Sequence, residues 1–155
     1  MKTKLTLAAL VLISFFACSK DSATSTATPK TIEELLTAKV WKIDEFRQRY
    51  NSGTVNGADI YYKRGGSGNT ANYDSDSIKF NINNTGVYYY LGNVYTTTWN
   101  FTDATKSKMT IIINYPTALV DNLETISVGE DYFRYSQYYT FNGVSYLGAG
   151  TRSPQ

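Results

Sequence analysis

The sequence predicts an all-β fold, an antiparallel meander of eight or nine strands behind a short N-terminal α-helix. Apolar and polar residues alternate with a period of two through a chain rich in Tyr, Thr, Ile and Val, as half-buried strands require. The runs are short and are separated by tight-turn residues such as Asn56-Gly57, Gly92-Asn93 and Asn142-Gly143. No interval leaves room for crossover helices, which argues against a parallel sheet. A small domain with this many strands removes its exposed edges by curling into a barrel or by splitting into a sandwich, and the alternation alone leaves both open.

The chain opens on a different signal. Lys2 and Lys4 precede an apolar run, Leu5 to Ala17, which ends at Cys18, the only cysteine, and is followed at once by Ser19-Lys20-Asp21. This is the layout of a bacterial secretory leader whose removal leaves a cysteine as the first residue. The run is shorter than the roughly 20 residues needed to span a bilayer. It is similar to a lipobox, with Ala17 and Cys18 matching and Phe15 departing from the usual aliphatic residue, so Cys18 is the expected site of lipidation. Ser19-Lys20-Asp21 also resembles the short export signals of surface lipoproteins in Bacteroidota. The expected organisation is a signal peptide at 1–17, a flexible Ser/Thr-rich tether at 18–29 and one β-barrel domain at 30–155. The segment Ser19 to Pro29 is too polar to order itself and could reach at most roughly 40 Å.

Thr31-Ile32-Glu33-Glu34 has the spacing of a capping box, and Ile32, Leu35 and Leu36 follow on one side of a helix ending near Ala38. The strands expected after it are Val40–Tyr50, Ala58–Arg64, Ser77–Asn83, Gly86–Leu91, Val94–Thr102, Lys108–Tyr115, Leu123–Gly129, Tyr132–Phe141 and a weak Val144–Leu147. Alternation assigns inward faces to Ile78, Phe80 and Ile82, to Tyr95, Trp99 and Phe101, and to Met109, Ile111, Ile113 and Tyr115. On the eighth strand Phe133, Tyr135, Tyr139 and Phe141 share one side, while Tyr132, Arg134 and Tyr138 share the other. Two tyrosines on that other side leave it either covered or part of an exposed binding surface.

The chemistry open to the domain is narrowed by its composition. The sequence contains no histidine and one cysteine, so a Ser-His-Asp or Cys-His arrangement and a soft zinc site are both excluded. Removing Lys2 and Lys4 with the leader reduces the 15 basic residues to 13, equal to the 13 acidic ones, so no basic field remains to attract nucleic acid. The adjacent pairs Asp44-Glu45 and Glu130-Asp131 cannot both face one substrate from a strand, and solvated charge is the better explanation of each. Asp74-Ser75-Asp76 lacks the closing glutamate of a twelve-residue calcium loop. Arg64-Gly65-Gly66-Ser67-Gly68-Asn69 lacks the lysine and hydroxyl of a phosphate loop and reads as a strand connection. No cofactor is expected, and no enzymatic constellation can be nominated.

Several short motifs together resemble a known family. Leu36-Thr37-Ala38-Lys39-Val40-Trp41-Lys42-Ile43 is similar to an opening in which a short helix runs into a tryptophan-bearing strand, although Ala38-Lys39-Val40 replaces the usual glycine. Asp76-Ser77-Ile78-Lys79-Phe80, Asn84-Thr85-Gly86-Val87-Tyr88, Thr98-Trp99-Asn100-Phe101, Thr125-Ile126-Ser127-Val128 and Asp131-Tyr132-Phe133-Arg134-Tyr135 continue the likeness. These motifs, spread from Ile32 to Gln137, resemble the lipocalin-like lipoprotein domains of Bacteroidota. The resemblance implies an up-and-down β-barrel with the N-terminal helix closing or flanking one end. It does not specify a ligand.

The aromatic residues are the remaining lead. Fourteen tyrosines, seven phenylalanines and two tryptophans concentrate in Tyr88–Trp99 and Tyr132–Tyr139. They either fill a narrow barrel or line a binding site. The candidate ligand-binding residues are Tyr89, Tyr95, Trp99, Phe101, Ile111 and Tyr135. Trp41 and Arg134 are expected to meet as a cation–π contact that closes the barrel bottom. The leading functional reading is a lipid-anchored protein of the cell envelope, at the outer membrane, that binds a small apolar or amphipathic ligand without catalysing a reaction. The alternative is an accessory lipoprotein whose exposed aromatic strands bind an envelope protein or glycan. An envelope enzyme comes third.

Overall fold

Thr31 and Glu34 make the reciprocal pair expected of them. The Glu34 N–H donates to Thr31 Oγ1 at 3.2 Å and the Thr31 N–H donates to Glu34 Oε2 at 2.7 Å. They start α1, Ile32–Ala38, and the extended backbone of Lys39 ends it. The computed structural model describes residues 28–51, 59–141 and 144–155. The leader, Cys18, most of the tether and the turns at Asn56-Gly57 and Asn142-Gly143 lie outside the described residues, as do the Tyr139 and Phe141 side chains.

Nine strands follow: β1 Val40–Asn51, β2 Ile60–Lys63, β3 Ser77–Phe80, β4 Thr85–Tyr90, β5 Asn93–Phe101, β6 Met109–Asn114, β7 Ala118–Val128, β8 Phe133–Phe141 and β9 Val144–Pro154. Every pairing is antiparallel. From β3 to β9 each strand pairs with the next, and β9 returns to β1 along Trp41–Asn51, closing the sheet. The other edge of β1 is shared, with β3 against Val40–Lys42 and β2 against Glu45–Gln48. The result is an eight-stranded up-and-down barrel with β2 as an extra strand, which resolves the choice between barrel and sandwich.

Two β-bulges among the described residues return large apolar side chains to the inner face. On β1 the register shifts between Ile43 and Glu45, so that Trp41 and Ile43 point inward and then Phe46 and Gln48 do. On β7 a shift between Glu124 and Ser127, with Thr125 at φ 51°, lets Ile126 follow Leu123 inward. An extra residue in one strand reverses its phase, so a strict period of two breaks at these points.

Helix α1 packs against β3 and β7 and closes one end of the barrel. Leu36 is fully buried there, and Trp41 Nε1 donates to its carbonyl at 2.8 Å. Edge-on aromatic pairs fill that end. Phe133 lies 5.9 Å from both Trp41 and Phe80, and Trp99 lies 5.6 Å from both Phe80 and Phe101. Such pairs contribute about 0.5–1.5 kcal/mol each beyond the burial of their area.

Five sequence expectations change. Ile82 is 70% exposed because the third strand stops at Phe80, where Asn81 and Asn84 form a tight turn with Asn84 at φ 64°. β2 is shorter than expected, while β7 begins five residues earlier, at Ala118. The weak ninth strand is a full 11-residue strand that closes the barrel. Arg134 does not meet Trp41: it alternates outward between the buried Phe133 and Tyr135 and stacks over the Tyr132 ring at 4.8 Å, whereas Trp41 points inward.

Candidate functional site: the barrel interior

Above the aromatic floor the barrel is not filled. A cavity of about 270 Å³ extends toward the end opposite α1. Ile78 and Phe80 lie at its base, Ile111, Ile113 and Leu123 on one wall, and Ile43 and Phe46 on the other. Tyr90, Tyr115, Leu119, Gln48 and Gln137 stand toward its open end, near the β4–β5, β6–β7 and β8–β9 hairpins. Ligand pockets commonly measure roughly 300–1,000 Å³, so this space, just below that range, suits a molecule smaller than drug size.

β9 makes room for it. Gly148 and Gly150 share the inward phase of Arg152, and a Cβ at Gly150 would stand 2.5 Å from Tyr135 Cζ. Without that Cβ, the Tyr135 ring lies directly against the strand. A Cβ at Gly148 would meet the Phe46 ring at 3.4 Å and the Arg47 carbonyl oxygen at 3.5 Å, both ordinary contacts. The thin stretch Gly148-Ala149-Gly150 is therefore a wall with little side-chain volume on its inner face.

A polar cluster crosses this interior. Arg152 Nη1 donates to Asp76 Oδ1 at 2.8 Å and to the Trp41 carbonyl at 3.3 Å, and the Tyr88 hydroxyl donates to Asp76 Oδ2. The guanidinium also lies 5.9 Å from the Tyr135 ring centroid. Burial acts to lower the Arg152 pKa, but Tyr135, Asp76 and Tyr88 outweigh it and raise the pKa, so the side chain stays charged. Burial, then the charge of Asp76, raises the Tyr88 hydroxyl above its ordinary range. The arginine that joins the tryptophan strand is thus Arg152, acting through the Trp41 carbonyl rather than through its ring.

Asp121 on β7 is the second ionisable group in the cavity wall. It lies opposite Ile111, between the inward Leu119 and Leu123. Its Oδ1 is shielded from solvent and finds no hydrogen-bond partner among the described residues. Burial pushes the carboxyl up to about 7, against the opposing influence of Arg152.

No family model and no curated protein matches this chain. The closed eight-stranded antiparallel barrel is consistent with a lipocalin-like fold, and the interior geometry has to carry the functional argument.

The six candidate ligand residues divide by position. Ile111 and Tyr135 line the cavity. Trp99 faces inward but belongs to the floor, where its Nε1 donates to the Thr85 carbonyl at 3.0 Å, and Phe101 packs beside it. Tyr95 lies 4.7 Å from Tyr115, behind the ring that stands in the cavity wall. Tyr89 points outward and is 39% exposed, because Tyr88 and Tyr90 take the inward phase of β4.

Arg152, Asp121 and Asp76 were not singled out from the sequence. Arg152 and Asp121 lay outside the expected strands, so alternation gave them no face. In the sequence Asp76 figures in the Asp74-Ser75-Asp76 loop and at the head of a family-like strand motif, with no role of its own, yet Asp74 accepts a hydrogen bond from the Tyr62 hydroxyl at 2.7 Å while Asp76 is turned into the barrel toward Arg152. The charged pairs behave as solvated surface groups: Glu130 binds Lys30 at 2.7 Å, and Asp44 lies 3.4 Å from Arg64. Among the described residues no three His, Cys, Asp or Glu side chains cluster as a metal site would require.

Proposed function

We propose that this protein is a lipocalin-like binding protein of the cell envelope, held at the outer membrane through a lipid on Cys18, and that it carries a small amphipathic molecule without transforming it. The observation that carries this reading is the interior cavity, open at one end, with aliphatic and aromatic walls and a few converging polar groups. That combination is typical of small-molecule sites. The apolar wall would supply affinity, and Arg152, Asp121 and the inward tyrosines would fix orientation. Native mass spectrometry of the protein purified from its own envelope tests it. A co-purifying small molecule, displaced when Ile113→Trp fills the cavity, is the expected result, and a ligand-free protein would count against it.

One observation favours a second reading. Leu91, Val94, Leu119, Val120 and Leu147 are all 43–64% exposed, and they stand on the three hairpins around the open end. Exposed apolar side chains gathered at one end mark a contact surface. An accessory lipoprotein would use this rim to dock a partner protein or glycan, and a stoichiometric protein in the same mass spectrum would support that role.

A further inference from the structure

Among the described residues the group that most needs explaining is the Asp121 carboxyl. A buried polar atom without a hydrogen bond is costly, and more so when charged, so a fold retains one where something else meets it. Asp121 Oδ1 is such an atom, and the side chain lines the cavity. The internal cation Arg152 does not meet it: Arg152 Nη1 serves Asp76 and the Trp41 carbonyl, and Asp121 Oδ1 has no hydrogen-bond partner among the described residues. We propose that Asp121 is the counter-ion for a ligand bearing an organic ammonium group, whose apolar body lies between Ile111, Ile113 and Phe46. This rests on the cavity being a ligand site.

Chemistry favours an ammonium over the alternatives. With Arg152 paired to Asp76, an ionised Asp121 leaves the cavity one negative charge in excess, which repels a carboxylate and attracts a cation. An N⁺–H donor to a carboxylate forms a hydrogen bond roughly twice as strong as a neutral donor does. Tyr90 and Tyr115, toward the open end, offer ring faces that a cation also favours. Among the described residues, the other ionisable groups facing this space are Arg152 on β9, Asp76 ahead of β3, Tyr73 in the loop before it, Tyr88 and Tyr90 on β4, Tyr115 just past the end of β6 and Tyr135 on β8. Burial raises the pKa of Tyr88, Tyr90 and Tyr135, and Arg152 remains charged, so none of these four changes charge near neutrality. Asp121, pushed up to about 7, does.

The test is calorimetric titration of the full domain with three probes of one shape: phenethylamine, phenethyl alcohol and phenylacetate. At about pH 8 the amine is expected to bind at least about tenfold more tightly than the alcohol, and phenylacetate most weakly. At about pH 5.5, where Asp121 carries a proton and the amine is still charged, that advantage should disappear while the affinity for the alcohol holds. Asp121→Asn should reduce the amine's advantage to within about twofold at both pH values and keep the alcohol bound, which also reports that the variant is folded. The pH profile of the unaltered protein stands even if the variant does not fold. Equal binding of amine and alcohol, preference for phenylacetate, or an amine preference that survives in Asp121→Asn would overturn the ammonium assignment and leave the cavity a ligand site. Failure of all three probes to bind would remove the cavity reading itself, and the assignment with it.

Discussion

At Arg152 the surrounding groups decide whether a charge survives inside the barrel. Its side chain is 9% exposed and that of its partner Asp76 is 1% exposed, at 2.8 Å. Removing one member of such a pair leaves the other buried without compensation, which typically costs about 3–5 kcal/mol. Arg152→Met is therefore expected to lower stability by that order in chemical denaturation, and Asp76→Asn combined with it should restore a large part. Arg134→Ala, by contrast, should change stability by less than about 0.5 kcal/mol, since that side chain lies outside the barrel. Near-equal losses from Arg152→Met and Arg134→Ala would contradict the assignment of the structural role to Arg152.

Asp121 makes a separate claim at the same scale. Its folded pKa of about 7 lies above the ordinary value of 3.8, so between these values the folded protein holds a proton that the unfolded chain has released. Stability from this group is therefore present at low pH and is lost as pH rises from about 4 to about 7, by up to about 1.4 kcal/mol per pH unit. The sequence contains no histidine to mask this window. The unfolding temperature is expected to decrease as pH rises from 5 to 7 in the unaltered protein and to stay nearly level over that window in Asp121→Asn. A profile that is flat before the substitution would show that the carboxyl is solvated.

β9 is the element on which the cavity depends, and its inner face is where a substitution should separate binding from folding. Gly148 has room for a Cβ, and a branched side chain there would extend from the strand toward Phe46 and the cavity. Gly148→Val is expected to preserve cooperative unfolding, because valine suits a strand, and to weaken phenethyl alcohol by more than about tenfold. Unchanged binding in a folded variant would place the ligand elsewhere.

The elements that sequence reading recovered best are those with uninterrupted alternation. Met109, Ile111 and Ile113 on β6 and Trp99 on β5 were placed on the correct face, and the Thr31–Glu34 cap was found by its spacing. β9 was cut short because Gly148-Ala149-Gly150 carries no apolar period, and that gap is the same feature that leaves space inside. β7 was started too late because Ala118-Leu119-Val120 is a continuous small and apolar run rather than an alternating one. Asp121 therefore stood in what was read as a connection. Arg134 is expected to meet Trp41 because it lies on a late strand, yet pairing with β9 gives it the outward phase, and Arg152 falls beyond the strands the alternation marks. The signals that could have found the polar site were the position of Asp121 two residues before Leu123, in the same phase, and an arginine two residues beyond a Gly-Ala-Gly segment.

For the molecule as a whole, closure joins residues about a hundred positions apart, Trp41 with Pro154 and Ile43 with Arg152. Pairing so distant in sequence slows folding, because the intervening chain must lose its freedom before the contact contributes. Anchoring is a separate matter at this scale. Cys18→Ser is expected to release the protein from membranes and to abolish labelling by fatty-acid analogues, without altering the barrel. Persistent membrane attachment in that variant would rule out the lipid.

The leading segment enters the barrel through α1, and the cavity opens at the far end. Were a copy grafted to a surface by its first residues, the attachment would sit at the end away from the mouth and would leave the opening clear. Cargo could be loaded and surrendered without any copy leaving its place, as suits a fixed receptacle more than a diffusing shuttle.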